Sequence, residues 1–208
     1  MIKVLKVAVF VLCLVPLFLL VLAVPSATNV VETITHTTGD WTLRFLVITL
    51  SVTPLRRLTG WTSATRFRRM FGLFAFFYGC IHFTIYCLSI SNLNFAEIGN
   101  DIAKRLYVTV GFTGFILMIP LAITSTKKWI ARLGGRRWQM LHRLVYVSAI
   151  AGVLHYLWLV KLDIRSPVRY GIAVGLLLLF RVWTAIRSRH PVTQVSGGQK
   201  NAVSRDSH

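Results

Sequence analysis

Long apolar runs recur along this chain of 208 residues, and they constrain its fold more than any other feature. Each run covers about 18 to 23 residues, enough for a helix rising about 1.5 Å per residue to cross a hydrocarbon core of about 30 Å. Because backbone amides cannot stay unpaired in lipid, such runs must be helices packed in a bundle. We predict six spans, near residues 7–24, 39–55, 70–90, 106–124, 138–160 and 168–185.

The spans leave little sequence for anything else, which predicts an all-α polytopic membrane protein with a single six-helix domain over residues 1–185. The composition agrees, since 55% of the residues are hydrophobic and only 14% are charged. Residues 186–208 are polar and include serine and glycine, which predicts a disordered cytoplasmic tail. His190 and His208 lie in this tail and are assigned no role.

The net charge of +18 is concentrated in alternate loops. Segments 56–69 and 125–137 are rich in Arg and Lys, whereas the predicted outside loop 25–40, which includes His36, has neither. Because Lys and Arg accumulate on the cytoplasmic side, both termini are predicted to be cytoplasmic. The charge is thus explained by topology and contact with the lipid membrane, and it does not indicate nucleic acid.

The first span can be interpreted in two ways. Lys3 and Lys6, an apolar core and the small residues after it resemble a signal peptide. The apolar run is longer than the usual signal core of about 7–15 residues, so a retained helix is the preferred interpretation.

Three of the six histidines lie inside apolar spans, namely His82, His142 and His155. An imidazole in hydrocarbon costs free energy unless something uses it, so each is a functional candidate. The neutral imidazole nitrogen is the usual axial ligand of haem iron, and without a C-x-x-C-H motif any haem must be b-type. The alternative is that each histidine only hydrogen-bonds to a neighbouring helix.

Depth in the membrane groups these histidines into two sites. His142 and His155 are separated by about 20 Å along one helix, which suits two stacked cofactors and excludes one shared iron. Their side chains point about 140° apart on an ideal helix, so this helix must be distorted or the cofactors must be central. His82 is expected to be level with His155. Arg68 is then level with His142, where its guanidinium can pair with a haem propionate.

Four segments of the chain resemble a known family. They are THTTGDWTLRFLVITLSVTPLRR (35–57), RFRRMFGLFAFFYGCIHFTIY (66–86), ITSTKKWIARLGGRRWQMLHRLVY (123–146) and LHYLWLVK (154–161). The chain is similar to the MsrQ (formerly YedZ) family, the haem-binding membrane subunits of bacterial periplasmic methionine sulfoxide reductase systems. This family belongs to the ferric-reductase-like transmembrane group.

The resemblance implies the cofactor and its ligands. Relatives in the wider group hold two stacked b haems on four histidines, and this sequence matches three of them, with Arg68 in the place of the fourth. The resemblance therefore implies one or two b haems held by His82, His155 and His142. Family descriptions also list FMN, for which the sequence contains no recognisable binding motif.

The resemblance also implies the function, that of an electron-transfer subunit rather than an enzyme. Electrons would come from a cytoplasmic flavin reductase or the quinone pool, because the chain has no G-x-G-x-x-G motif for a nicotinamide. They would cross the bacterial inner membrane to MsrP, a periplasmic molybdopterin-containing subunit that reduces methionine sulfoxide in envelope proteins. Two alternatives stay open: a stand-alone haem reductase of ferric ions or oxygen, and a haem-free proton or solute pathway.

Overall fold

The computed structural model describes residues 2–91, 94–160 and 163–187, and within these ranges it contains helices and no strand, which confirms the predicted all-α fold. The predicted tail lies outside the described residues from position 188 onward. The helices are α1 (Ile2–Ala23), α2 (Val30–Thr59), α3 (Thr65–Ser91), α4 (Phe95–Lys104), α5 (Leu106–Ile123), α6 (Lys127–Leu133), α7 (Gly135–Leu141), α8 (Leu144–Leu159) and α9 (Arg165–Arg187).

Two helix pairs form the centre of the bundle, α2 with α3 and α5 with α8. Helix α9 packs on α8 and α2, and the short amphipathic helix α4 packs on α3 and α5 with Ile98 buried beneath it. The fully buried Leu50, Ala75 and Ala149 belong to the core between the pairs. We call the end of the bundle that holds α4 the outer end and the end that holds α6 the inner end.

Five of the six predicted spans are long and apolar enough to cross a membrane. They correspond to α1, α3, α5, α7 with α8, and α9. Helix α2 is less hydrophobic than these five and is not among them, so the count of six spans is not confirmed. Its Asp40, Arg44 and many threonines lower its hydropathy, although it is 30 residues long and contributes Phe45, Leu46 and Leu50 to the core.

Helix α2 also corrects the prediction of an outside loop over 25–40. The helix begins at Val30, where the side chain of Asn29 accepts a hydrogen bond from the amide of Glu32. Polar, threonine-rich residues therefore continue the helix beyond its apolar part, and His36 is a helical residue. The helix ends at Gly60, whose φ of 71° is favoured for glycine.

The predicted continuous span 138–160 is wrong in one detail, because it is two helices. Helix α7 ends at Leu141 and α8 begins at Leu144, with His142 and Arg143 forming a turn between them. This break lies between the two histidines, where a distorted helix was one of the two alternatives that the 140° mismatch allowed.

A tyrosine from α3 joins α1 to the bundle. The hydroxyl of Tyr78, which is fully buried, donates to the carbonyl of Cys13 at 2.9 Å and accepts from the amide of Leu17 at 3.1 Å. These two backbone groups are one turn apart and lie beside Pro16, which has no amide hydrogen to donate. Helix α1 thus contributes to the core, while the retention of this helix stays a prediction.

Candidate cofactor site

A cavity of about 290 Å³ lies between the two helix pairs toward the outer end. Its wall comes from α2, α3, α5 and α8 and is mainly apolar, with five glycines among the lining residues on those helices. His82 on α3 and His155 on α8 both line it. Other residues that line it include Leu43, Phe83, Phe112, Phe115 and Met118.

The structure brings His82 and His155 close together in the cavity. Their ring centroids are 6.1 Å apart and their planes are nearly perpendicular, at 87°. His82 is carried by α3 and His155 by α8, so the two imidazoles come from different helix pairs. The depth argument from the sequence placed them at one level, and the structure has them at one level.

Each imidazole is fixed through the same ring nitrogen. Nδ1 of His82 donates to the carbonyl of Thr35 at 2.9 Å, and Nδ1 of His155 donates to the carbonyl of Tyr107 at 2.7 Å. Because a neutral imidazole has one N–H, these bonds place the proton on Nδ1 and leave the lone pair on Nε2. A histidine that ligates a metal commonly donates its other N–H to a backbone carbonyl in this way.

A glycine lies beneath each ring, one helical turn after the carbonyl that holds it. A Cβ added to Gly39 would be 3.0 Å from the imidazole of His82. A Cβ added to Gly111 would be only 2.5 Å from Nδ1 of His155. The rings therefore lie directly on the backbones of α2 and α5, where a larger residue would displace them.

The donor groups fit a haem. In the described ranges no group of three or more His, Cys, Asp or Glu side chains is placed to hold a metal ion. Two axial imidazoles suffice for haem iron, because the porphyrin supplies the equatorial nitrogens. His82 and His155, whose ring centroids lie 6.1 Å apart, would be the two residues that hold it.

At the inner end, the histidine has a different hydrogen-bond partner and a different protonated nitrogen. The ring of His142 stacks on Trp138 with centroids 3.9 Å apart, and its Nε2 is 3.1 Å from the hydroxyl of Thr124. That hydroxyl donates its own hydrogen to the carbonyl of Pro120 at 2.6 Å, so it must accept from His142. The proton of His142 is therefore on Nε2. His142 would have to release Thr124 before this nitrogen could bind a metal.

Arg68 lies near His142, close enough for an electrostatic interaction between them, and it interacts similarly with Arg181 on α9. Sequence reasoning missed Arg181, although a charge within an apolar span is itself a signal of function. It also missed Ser148 in the cavity wall, which is buried and whose hydroxyl has no hydrogen-bond partner among the described residues.

The outer rim of the cavity carries polar groups. Arg105 pairs with Asp101 at 2.7 Å and donates to the hydroxyl of Tyr107 at 3.1 Å. These contacts raise the pKa of Arg105, so it stays charged at every physiological pH. His36 is exposed at this rim and 3.9 Å from Glu32.

The fold and the site define a class of protein, a multi-span helical membrane protein with two histidines close together in a mainly apolar cavity. Comparison with known families agrees. The family described as "Ferric reductase like transmembrane component" matches residues 8–153, a segment that includes His82 and His142 and ends two residues before His155.

Curated relatives cover most of the chain. A protein of Herminiimonas arsenicoxydans is 51% identical over 81% of this chain and 78% of its own length. Proteins of Ralstonia nicotianae and Rhodospirillum rubrum are 50% and 45% identical, over 86% and 88% of this chain and 84% and 90% of their own lengths. Each is named "Protein-methionine-sulfoxide reductase heme-binding subunit MsrQ". The chain therefore belongs to the MsrQ family of ferric-reductase-like multi-pass membrane proteins.

Proposed function

We propose that this protein is a membrane b-type cytochrome that carries electrons across the inner membrane to a periplasmic methionine sulfoxide reductase. The observation that carries the proposal is the pair His82 and His155, whose rings lie 6.1 Å apart in a mainly apolar cavity and whose Nδ1 atoms both donate to backbone carbonyls, which leaves each Nε2 unprotonated. Family membership supports it, since the relatives are named as haem-binding subunits.

His82 and His155 are proposed as the two axial ligands of one b haem. A bound haem supplies a one-electron carrier that alternates between ferric and ferrous iron. The carbonyls of Thr35 and Tyr107 keep both imidazoles in the ligating tautomer. The apolar wall excludes water and so favours electron transfer over side reactions.

A second haem at the inner end is proposed with His142 as a ligand and Arg68 as a partner for a propionate. Its support is the electrostatic contact between these two residues at the depth that the sequence indicates. FMN is a further cofactor by family analogy alone. The number of haems is measured directly by quantifying haem per polypeptide in the purified protein.

A reduced-minus-oxidised spectrum separates this function from a haem-free proton or solute pathway. The purified protein is expected to show b-type haem bands on addition of dithionite. A colourless preparation from cells that make haem normally would contradict the electron-transfer role and favour the haem-free pathway.

The partner assignment is tested by reoxidation of the haem. Electrons are proposed to enter from a cytoplasmic flavin reductase or quinone and to leave to MsrP, where the chemistry on the sulfoxide takes place. In membranes, reduced haem should reoxidise rapidly only when MsrP and an oxidised substrate are both present. Equal rates with and without MsrP would favour a stand-alone reductase of ferric ions or oxygen.

The direction of transfer depends on the orientation in the inner membrane. The basic composition of the two loops supports a cytoplasmic location for Thr62 and Gly134, together with both termini. In a variant without Cys13, Cys80 and Cys87, a single cysteine at either position should resist an impermeant thiol reagent in intact cells. A cysteine at the exposed Gly99 on α4 is the matched outside control and should react. The reverse pattern would invert the proposed direction.

A further inference from the structure

Arg181 is partly buried on the side of α9 that faces the bundle. It is six residues, about 9 Å, from the end of α9, and its guanidinium points toward α2 and α8. It donates to the Tyr146 hydroxyl, to the Leu50 carbonyl at 3.2 Å and to the Thr53 hydroxyl at 3.0 Å. The Leu50 carbonyl is available because Pro54, one turn later, has no amide hydrogen.

Among the described residues, one N–H donor of Arg181 has no acceptor and its positive charge has no carboxylate partner. Its three acceptors are all neutral, and its Nε is buried without a partner among the described residues. Arg68 adds a second positive charge that interacts unfavourably with it. A charge within a membrane protein is costly unless it is paired. We therefore expect Arg181, with an unpartnered N–H and a second guanidinium within electrostatic range, to bind an anion.

The chain provides no carboxylate for this pair in its described part. The ion pairs there are His36–Glu32, Arg44–Asp40 and Arg105–Asp101, all at the outer end. Arg44 illustrates the contrast, since it is exposed and yet has Asp40 at 2.5 Å. No Asp or Glu occurs in the sequence between positions 41 and 96 or between 102 and 162.

We propose that Arg181 and Arg68 form a binding site for an oxyanion, a phosphate or a carboxylate, at the inner end between α2, α3, α8 and α9. Guanidinium groups bind both kinds of oxyanion through paired hydrogen bonds. Two sources carry this chemistry: the phosphate of an anionic phospholipid and the carboxylate of a haem. Basic pockets between membrane helices on the cytoplasmic side are known to take lipid headgroups. The haem source alone rests on the proposed function.

The test compares Arg181→Gln with Arg187→Gln. Both variants lose one positive charge from α9, but Arg187 is exposed and stacks on Trp183 at 4.4 Å, so it is the matched control. Each protein is reconstituted into phosphatidylcholine vesicles with and without phosphatidylglycerol. The thermal unfolding midpoint, bound lipid by native mass spectrometry, and haem content and midpoint potential are measured.

A phospholipid source predicts that phosphatidylglycerol raises the unfolding midpoint of wild-type protein and of Arg187→Gln. In Arg181→Gln its affinity should fall by about tenfold or more, as expected on losing a charge-assisted hydrogen bond. A haem carboxylate predicts instead that Arg181→Gln shifts the haem potential or lowers haem content, with no dependence on phosphatidylglycerol.

If neither lipid dependence nor haem properties distinguish Arg181→Gln from Arg187→Gln, the proposal is wrong. If Arg181→Gln does not fold, the lipid titration of wild-type protein and of Arg181→Lys decides. Phosphatidylglycerol should raise the unfolding midpoint of both proteins, or Arg181→Lys should shift the midpoint potential of the haem. The absence of both responses would overturn the site.

Discussion

The two ends of the bundle use the same kind of residue in opposite ways. At the outer end His82 and His155 have their protons on Nδ1, where they donate to backbone carbonyls, and both residues line a cavity. At the inner end His142 has its proton on Nε2, held by Thr124, and its ring is covered by Trp138. The partner of one nitrogen therefore decides whether the other nitrogen of a buried histidine is free to bind a metal.

The largest expected effect follows from the outer pair. Replacing either His82 or His155 with alanine should abolish the same haem component, because each supplies one of its two axial ligands. Haem per polypeptide and the reduced-minus-oxidised spectrum measure this. His36→Ala, at the rim of the same cavity, is the control and should retain the haem. Full haem content and unchanged redox behaviour in either variant would end the assignment.

A smaller effect is expected from the glycine beneath one ring. Gly111→Ala places a Cβ where the ring of His155 lies, so the imidazole must move and haem affinity should fall by about tenfold or more. Haem titration of the apoprotein measures the affinity. Gly175→Ala on α9, where a Cβ meets nothing within 4 Å, should leave it unchanged. Equal affinities in the two variants would show that the ring is not confined as described.

The inner end is expected to respond separately. His142→Ala should remove or alter a second haem component, and Arg68→Ala should weaken that component without affecting the outer one. Potentiometric titration with spectral decomposition separates the two. If every histidine variant loses one indivisible species at one haem per polypeptide, the protein holds a single haem and His142 has another role.

The smallest effect concerns the bond that distinguishes the two ends. Thr124→Val removes the acceptor for Nε2 of His142, and its loss should lower the free energy of unfolding by about 1 kcal/mol. The outer haem spectrum should stay unchanged. Ser125→Ala, one residue later on the same helix end, removes only a hydroxyl bonded within α5 and serves as the control. A stability of Thr124→Val equal to that of the control would mean that His142 is already engaged elsewhere, as a ligand would be.

Sequence reasoning reached the levels of His82 and His155 because apolar runs and basic loops fix the direction of each helix. From the angular mismatch along one helix it offered two alternatives, a local distortion or a central cofactor position, and the structure has a turn at His142 and Arg143. The sequence alone could not identify the groups that support the two imidazole rings. Gly39 and Gly111 contact these rings only because α2 lies against α3 and α5 lies against α8. The start of α2 was missed because its threonine-rich first turns have no apolar periodicity, and their contact with α3 through His82 and the Thr35 carbonyl forms only in the folded bundle.

Tyr78 has a consequence for the order in which the bundle is made. Synthesis releases α1 before α3, and backbone groups in lipid need a partner at every stage. Before α3 arrives, the Cys13 carbonyl and the Leu17 amide have each other, as in any helix. The Tyr78 hydroxyl, which both donates and accepts, then joins both groups at once. Docking of α1 on α3 thus gives both groups a partner from α3, and no stage of assembly leaves these two groups unpaired.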